Sequence, residues 1–328
     1  MKFHRVAANS IRLWKPLALQ GIRAFSMNFE GAATELLGTK KPPFIYGTAW
    51  KKDQTKALVK QAIKAGFTAI DTAAQPKHYQ EVLVGDALRE ILSEGLLSRE
   101  QIYLQTKFTP PAGQNKTNMP YDPNAPLKSQ VHTSIASSLE NLRPKFDLGS
   151  VQDSYIDCLV LHSPLETIQD TLAAWNLFES YVPQRIRRLG ISNTDLAVLK
   201  AVYDGSRVKP SVVQNRFYNR TAFDVDLRAF CREHGIVYQS FWTLTGNPGL
   251  LRTSPVALLS KDAGVSKELA LYALVMSLGI APLNGTTSEE HMKQDLTDIA
   301  RLKNWTFVYS EKWSSIVADF KALIGDAS

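Results

Sequence analysis

Three polar or charged residues close β-rich segments of this chain, and a tyrosine follows the first of them. Asp71, Lys107 and His162 end runs that are otherwise rich in Ile, Val, Leu and Tyr, and Tyr79 lies eight residues after Asp71. An ammonium group beside a phenol stabilises the phenolate and so lowers the phenol pKa, while a carboxylate holds the ammonium group in place. Asp71, Lys107 and Tyr79 therefore predict a proton donor tuned near neutral pH. The His162 imidazole can hydrogen bond to a carbonyl oxygen and polarise it.

Each of these residues also has a structural interpretation. A single His at a strand end is most often a hydrogen-bonded structural residue, and a Lys there is costly unless it is paired. Four such groups on one rim favour a functional site instead. No Ser or Cys nucleophile arrangement is apparent and the His residues lack metal-ligand spacing, so hydrolysis and metal catalysis are disfavoured and no metal is expected.

A proton donor beside a carbonyl polariser needs a source of hydride. Two amide side chains, Asn193 and Gln214, follow or lie in later β-rich runs, and the flat ring of Phe241 lies in the next one. Amides suit the carboxamide of a nicotinamide, and a flat ring suits the face of its pyridine ring. The residues therefore favour a nicotinamide-dependent oxidoreductase.

The elements that must position these groups alternate along the chain beyond residue 43. The predicted strands are Phe44–Thr48, Thr68–Ala73, Ile102–Phe108, Ile156–His162, Arg188–Asn193, Ser211–Phe217, Ile236–Thr243 and Ile280–Gly285. The predicted helices are Asp53–Ala65, Glu81–Ser93, Pro126–Leu142, Ile168–Tyr181, Thr194–Tyr203, Asp224–His234, Ser266–Leu278, Ser288–Leu302 and Glu311–Ile324. Eight alternating units imply a parallel sheet, and eight strands close into a (β/α)8 TIM barrel with one extra C-terminal helix.

Local residues support several of these boundaries. Gly66 and Gly279 lie where helices stop, as a left-handed C-terminal residue requires, and Asp53 and Ser266 are expected to cap helix N-termini. An open doubly wound sheet is the alternative, but no G-x-G-x-x-G follows the first strand. Two long connections, Thr109–Ala125 and Leu244–Gly264, are expected to be loops that shape a substrate pocket at the C-terminal face.

Short stretches in a fixed order connect this chain with a known family. They are Gly-Thr-Ala-Trp at 47–50, Ile-Asp-Thr-Ala at 70–73, Val-Gly-Asp-Ala-Leu at 84–88, Gln-Thr-Lys-Phe at 105–108, Leu-His-Ser-Pro at 161–164, Leu-Gly-Ile-Ser-Asn at 189–193 and Gly-Thr-Thr-Ser-Glu-Glu-His-Met at 285–292. From residue 43 onward the chain resembles the aldo-keto reductase family. Each stretch alone is weak, but their order on the expected elements is a strong signal.

The resemblance implies roles for individual residues. It implies that Tyr79 donates the proton, that Lys107 and Asp71 tune it, and that His162 orients the carbonyl. The cofactor contacts that it implies are Gly47, Thr48, Asp71, Ser192, Asn193, Gln214, Phe241, Thr243, Leu244, Gly285, Thr286, Thr287, His291 and Asp295. The expected substrate contacts are Trp50, His162 and Trp242. The expected cofactor is NADPH, with NADH as an alternative.

Two departures from the family pattern affect these expectations. The usual spacing places the tyrosine five residues after the aspartate, whereas here Gln-Pro-Lys-His-Tyr at 75–79 lengthens the segment. This variant resembles a subgroup associated with fungi. Many members also place a Lys and an Arg on the 2′-phosphate of the cofactor, where this chain has Gly285 and His291. Thr286, Thr287 and the start of the following helix still offer hydroxyl and backbone donors.

Charge is concentrated at the start of the chain. The 328 residues carry a net charge of +7. Residues 1–29 contain five basic residues (Lys and Arg together) and no Asp or Glu, so the rest of the chain carries a net charge of +2. With no basic stripe, nucleic-acid binding is not expected. The Arg-bearing, acid-free segment 1–26 predicts a removable mitochondrial leader; a disordered tail, or untranslated sequence before a start at Met27, are the alternatives. The enzyme would accordingly be mitochondrial or cytoplasmic.

Composition sets the remaining bounds. A hydrophobic content of 44% suits one barrel domain over residues 27–328, and no run is apolar enough for a membrane helix. The two cysteines, Cys158 and Cys231, offer neither a disulfide framework nor a metal site.

The enzyme is expected to be a monomer that acts on a small carbonyl compound. The alternative function is a non-catalytic, nucleotide-binding barrel that serves as a sensor or scaffold. A lyase or isomerase would need a phosphate or metal site that the sequence does not suggest.

Overall fold

Eight parallel strands form a closed barrel in the computed structural model, which describes residues 44–326. The strands are β1 Ile45–Gly47, β2 Ala69–Asp71, β3 Tyr103–Phe108, β4 Ile156–Leu161, β5 Ile186–Ser192, β6 Val212–Arg216, β7 Val237–Phe241 and β8 Ala281–Asn284. Each strand pairs with the next in sequence, and β8 pairs with β1. The predicted (β/α)8 barrel is therefore confirmed, and the open-sheet alternative is wrong.

Ten α-helices surround the barrel within these residues. They are α1 Thr55–Ala65, α2 Glu81–Ser93, α3 Leu127–Asn141, α4 Ile168–Glu179, α5 Leu196–Gly205, α6 Val225–Glu233, α7 Ser254–Ala263, α8 Lys267–Met276, α9 Glu289–Val308 and α10 Ser310–Leu323. Helix α7 lies inside the connection 244–264 that was expected to be a loop, so that prediction was wrong. Pro255 falls in its first turn, where a proline is tolerated because the N–H has no helical partner.

The predicted boundary signals hold with one exception. Gly66 and Gly279 both have left-handed backbone angles, with φ of 117° and 79°. The Ser266 hydroxyl accepts a hydrogen bond from the Leu269 N–H, which caps α8. Asp53 does not cap α1: it lies inside a single 3-10 turn, and Gln54 precedes the helix without a side-chain cap.

The apolar core has two parts. One fills the lower interior of the barrel and is formed by Ile45, Ala69, Tyr103, Cys158, Val160, Val212, Val237 and Ala281. The larger part lies between the strands and the helices, where Trp175 and Phe178 of α4 are fully buried. Cys158 belongs to the inner cluster, and burial raises the pKa of its thiol to about 12, so it is a structural thiol.

Two glycines allow elements to approach closely. A Cβ at Gly85 would lie 1.8 Å from the backbone oxygen of Asn141, at the end of α3. A Cβ at Gly190 in β5 would lie 2.9 Å from the Val212 Cβ on β6. Both glycines belong to the family-like stretches, which ties those stretches to packing. No helix among residues 44–326 is long and apolar enough to cross a membrane.

Candidate active site

A cavity of about 860 Å³ opens where the strands end. Ligand sites of TIM barrels occupy this face, and the volume is within the range of small-molecule and cofactor pockets. Every residue expected to bind cofactor or substrate lines this cavity except Thr48. Thr48 is buried, and its hydroxyl donates to the Asp71 carbonyl oxygen at 2.9 Å.

A buried ion pair forms the base of the site. Lys107 Nζ donates to Asp71 Oδ2 at 2.6 Å, to Asp71 Oδ1 at 2.8 Å and to the Thr72 carbonyl oxygen at 2.9 Å. Asp71 ends β2 and Lys107 lies in the adjacent β3, so the parallel register brings the two side chains together. Burial alone would lower the pKa of Lys107, but Asp71 and Tyr79 raise it above its ordinary value. The ammonium group therefore stays charged.

Tyr79 lies above this ion pair. Lys107 Nζ is 4.9 Å from the centre of the Tyr79 ring. Burial raises the pKa of Tyr79, while Lys107 acts in the opposite direction. The net direction is upward, so the expected lowering toward neutral pH is wrong for this structure. The phenol instead keeps its proton at neutral pH.

The lengthened segment after β2 is held by its own hydrogen bonds. Gln75 Nε2 donates to the Gly113 carbonyl oxygen at 2.6 Å, and the Gln75 carbonyl oxygen accepts from the N–H groups of His78 and Tyr79. This turn carries Tyr79 to the cavity in spite of the longer spacing from Asp71.

His162 faces Tyr79 across the cavity, with ring centres 6.0 Å apart. Burial, with the nearby charges of Lys107 and His78, lowers the pKa of His162 to about 3, so the imidazole is neutral. Its Nδ1 lies 2.6 Å from the Thr109 hydroxyl. When that hydroxyl donates to Nδ1, the ring carries its proton on Nε2. Thr109 was not anticipated from sequence, although it follows Lys107 by only two residues.

The two amide residues, Asn193 and Gln214, lie close together where the strands end. Asn193 has a left-handed backbone, with φ of 53°, and its Nδ2 donates to the His162 carbonyl oxygen at 2.9 Å. Gln214 Nε2 donates to Asp71 Oδ1 at 2.9 Å and to Gln239 Oε1 at 3.0 Å. With both nitrogens engaged, Asn193 Oδ1 and Gln214 Oε1 remain as acceptors, and both residues line the cavity. The Ser192 hydroxyl donates to the Gln214 carbonyl oxygen at 2.5 Å, which adds a side-chain link between the paired strands β5 and β6.

Two further glutamines extend this network and were missed in the sequence. Gln105 Nε2 donates to Asp71 Oδ1 at 2.7 Å and to Gln239 Oε1 at 2.8 Å, while Gln239 Nε2 donates back to Gln105 Oε1 at 3.0 Å. Both side chains are fully buried. Only the polarity of Gln105 and Gln239 within apolar strands could have indicated them.

The segment after β8 forms the opposite end of the cavity. The Thr286 N–H donates to Asn284 Oδ1 at 3.0 Å, and the Ser288 hydroxyl caps α9 by accepting from the His291 N–H. Asp295 accepts from Asn284 Nδ2 at 2.7 Å, and burial raises its pKa. A helix start with free backbone donors and hydroxyls is suited to a phosphate group.

Two cations on the cavity wall were also missed. Lys51 donates to the Gly285 carbonyl oxygen, and burial lowers the pKa of Lys51. Arg216, at the end of β6, lies 4.1 Å from the centre of the Trp242 ring. The run Trp-Lys-Lys at 50–52 and the Arg that follows Gln-Asn at 214–215 were the available signals.

Two exposed tryptophans, Trp50 and Trp242, stand at the cavity mouth. Their side chains are 62% and 50% exposed, and both have positive φ, of 64° and 57°. Such angles are rare for bulky residues and are concentrated at functional sites. The Trp50 ring also contacts the His78 ring, with ring centres 3.8 Å apart and an angle of 35° between the ring planes.

The connection Thr109–Ala125 does not line the cavity, so that expectation is wrong. It folds against itself and the β2 segment instead: Tyr121 donates to the Thr109 carbonyl oxygen at 2.5 Å, and Gln114 Nε2 donates to the Ala74 carbonyl oxygen at 2.8 Å. The other long connection does reach the cavity, through Leu244 and Thr245.

The donor set fits a nicotinamide dinucleotide. Two amide oxygens and the Phe241 ring suit the nicotinamide, and the start of α9 suits a phosphate. Among residues 44–326 no group of three or more His, Cys, Asp or Glu side chains could hold a metal ion.

Comparison with known proteins agrees with this geometry. The sequence model of the Aldo/keto reductase family matches residues 36–304. An uncharacterized oxidoreductase of Schizosaccharomyces pombe is 25% identical over 248 residues, which cover 75% of this chain and 78% of that protein. Glyoxal reductase of Bacillus subtilis is 27% identical over 208 residues, covering 62% and 64% respectively.

Solved structures share the fold. An aldo/keto reductase from Brucella melitensis has a TM-score of 0.61 and 21% identity, covering 80% of this chain and 94% of that one. An aldo-keto reductase of Bombyx mori, solved in complex with NADP, has a TM-score of 0.62 and 20% identity, covering 80% and 88%. Because the family model spans most of the sequence, the protein belongs to the aldo/keto reductase family and is an oxidoreductase.

Proposed function

We propose that the enzyme reduces an aldehyde or ketone to an alcohol with NADPH, and that Tyr79 supplies the proton. The observation that carries this proposal is the position of Tyr79, above the buried Asp71–Lys107 pair and opposite a neutral His162. A nicotinamide cofactor, when bound, supplies the hydride.

Each side chain then has a defined task. The Tyr79 hydroxyl donates its proton to the carbonyl oxygen as negative charge develops there. Lys107 stabilises the phenolate that remains, and Asp71 keeps the ammonium group in place. His162 donates from Nε2 to the same oxygen, because Thr109 occupies Nδ1. A neutral His162 leaves the proton transfer to Tyr79.

Cofactor binding is proposed along the whole cavity. Asn193 and Gln214 would accept from the carboxamide, and the Phe241 ring would stack on the nicotinamide. The residues proposed to contact the rest of the cofactor all lie on the cavity wall. They are Gly47, Asp71, Ser192, Thr243, Leu244, Gly285, Thr286, Thr287, His291 and Asp295. Because His291 is no fixed cation, the preference for NADPH over NADH should be smaller than in relatives that carry the Lys and Arg pair.

The finer assignments are also proposals. We propose that the chain belongs to a subgroup, associated with fungi, in which Gln-Pro-Lys-His-Tyr carries the proton donor; the turn at 75–79 places Tyr79 on the cavity wall, as this role requires. We further propose a monomer whose catalytic domain spans residues 27–328, preceded by a mitochondrial leader. A sensor or scaffold function is disfavoured, because such a protein has no need of a buried ammonium group beside a phenol.

The test is the Tyr79→Phe variant, assayed by NADPH consumption with a panel of reactive aldehydes. Loss of general acid catalysis should lower kcat by roughly 10²–10⁴-fold, while the Kd for NADPH stays nearly unchanged. Tyr203→Phe, on α5 and away from the cavity, is the matched control and should keep wild-type kcat. The loss would be far smaller than this range if Tyr79→Phe kept more than about a third of wild-type turnover. In that case another group donates the proton.

A further inference from the structure

Two fixed cations line the cavity within the described residues, Lys51 and Arg216, and they differ in how they are satisfied. Lys51 donates to the Gly285 carbonyl oxygen. The Arg216 guanidinium has no ion pair or hydrogen bond with any part of residues 44–326, and its Nε is buried without a partner. A partly buried cation without a counter-charge is costly, which makes Arg216 unusual.

Three aromatic rings hold the Arg216 guanidinium in place. Its Cζ lies 4.1 Å from the centre of the Trp242 ring, 5.4 Å from that of Tyr218 and 5.6 Å from that of Phe241. A guanidinium group stacked on a ring keeps its N–H groups free in its own plane, where they match the two oxygens of a carboxylate or phosphate. The rings therefore orient the cation without neutralising it.

The position of Arg216 adds to this argument. Arg216 pairs in register with Phe241, the ring proposed to stack on the nicotinamide. The three acidic residues on the cavity wall do not neutralise it: Asp71 is paired with Lys107, Asp295 accepts a hydrogen bond from Asn284, and Glu268, whose charge acts on Asp295, forms no ion pair with Arg216. An anion entering the cavity would find Arg216 available.

We propose that Arg216 is the anion-recognition residue of this cavity and binds a carboxylate or phosphate group of a bound ligand. The anion is either an acidic group on the carbonyl substrate or the diphosphate of the cofactor. The inference rests on the proposed function, since a substrate or cofactor must occupy the cavity. A purely structural role, in which Arg216 only supports Trp242, is the competing explanation.

The experiment compares Arg216→Met with the wild type, because Met keeps an apolar stem against the rings and removes the charge. Arg220→Met is the matched control, since Arg220 is exposed in the next turn and does not line the cavity. The substrates are 4-carboxybenzaldehyde and its neutral methyl ester, measured at saturating NADPH. The Kd for NADPH is measured separately by fluorescence, and Tm reports on folding.

The outcomes separate the two sources of the anion. If the substrate supplies it, kcat/KM for the carboxylate falls about 10- to 100-fold, as expected for a lost hydrogen bond between charged groups, and the ester and the Kd for NADPH do not change. If the cofactor supplies it, the Kd for NADPH rises by a similar factor and both substrates react normally at saturation.

Two results overturn the proposal. One is no change in either measurement, and the other is an equal loss for both substrates with unchanged NADPH affinity, which a structural role predicts. If the wild type reduces neither aldehyde, the proposed function has failed, and the inference about Arg216 is then decided by the NADPH affinity alone.

Discussion

At the scale of single residues, the neutrality of His162 has consequences for the pH dependence of stability. Its pKa is lowered from 6.5 to about 3, first by burial and then by Lys107 and His78. Between these two values the unfolded chain binds a proton at this position that the folded protein does not. Stability should therefore fall as the pH drops from about 6.5 toward 3.

This prediction is checked by NMR titration of the His162 ring and by Tm measured at pH 7 and pH 5. The ring should remain neutral at pH 5, and His162→Asn should lose less Tm over that interval than the wild type does. Titration of His162 near 6.5 would contradict the burial argument.

The glutamine pair Gln105 and Gln239 supports a second prediction. These side chains donate to each other, and Gln105 and Gln214 both donate to Asp71 Oδ1. Gln239→Leu should cost about 1–3 kcal/mol of unfolding free energy, because it leaves buried amide groups without partners. The double variant Gln105→Leu/Gln239→Leu should cost less than the sum of the two single variants. Denaturant unfolding of all four proteins measures the coupling, and simple additivity would show that the pair does not act as a unit.

Sequence reasoning found the residues whose type alone suggests chemistry and missed those whose role depends on register. Asp71, Lys107 and His162 are ionisable groups at strand ends, and this feature can be read directly from the sequence. Gln105 became significant only because β3 sets it opposite Asp71, and Arg216 only because β6 sets it opposite Phe241. The upward pKa shift of Tyr79 was missed for the same reason, since burial cannot be read from the spacing of residues.

At the scale of elements, the close contact of α2 with α3 depends on Gly85. Alanine would ordinarily stabilise a helix by about 1 kcal/mol relative to glycine. Here the added Cβ would overlap the Asn141 backbone oxygen, which also accepts from Arg89 at 2.8 Å and so cannot retreat freely. The clash should outweigh propensity, and Gly85→Ala should lower the unfolding free energy by roughly 1–3 kcal/mol.

Chemical denaturation measures this effect, with Gly249→Ala as the matched control. Gly249 has a φ of −69° and no heavy atom within 4 Å of an added Cβ, so its substitution should leave stability nearly unchanged. Equal stability of both variants and the wild type would mean that the two helices can separate without cost.

The predicted elements were correct where apolar periodicity is long and failed where proline and glycine dominate. All eight strands were placed on the right segments, because buried parallel strands form apolar runs bounded by turn residues. Helix α7 was missed because Pro248, Gly249 and Pro255 made its surroundings resemble a loop. Helix α9 extends to Val308, beyond the predicted end at Leu302, because no glycine or proline stops it there.

At the scale of the whole molecule, the distribution of charge separates the start of the chain from the barrel. The expected leader, residues 1–26, lies outside the described residues, so it remains a prediction from composition. Its five cations without an acidic residue suit import driven by a potential that is negative inside, and no packing requirement of a barrel explains them.

Residues 1–26 are expected to direct the protein to mitochondria. Deleting residues 1–26 should leave Tm and turnover unchanged, but a dispensable tail or a start at Met27 predicts the same result. Location separates these explanations. A fluorescent protein fused to residues 1–40 should collect in mitochondria, whereas the same fusion with Arg5, Arg12 and Arg23 changed to Gln should remain diffuse, because the import signal depends on positive charge. Diffuse fluorescence from the unaltered fusion would refute the leader and leave the reductase assignment unaffected, since Tyr79, Lys107 and His162 all lie within the barrel.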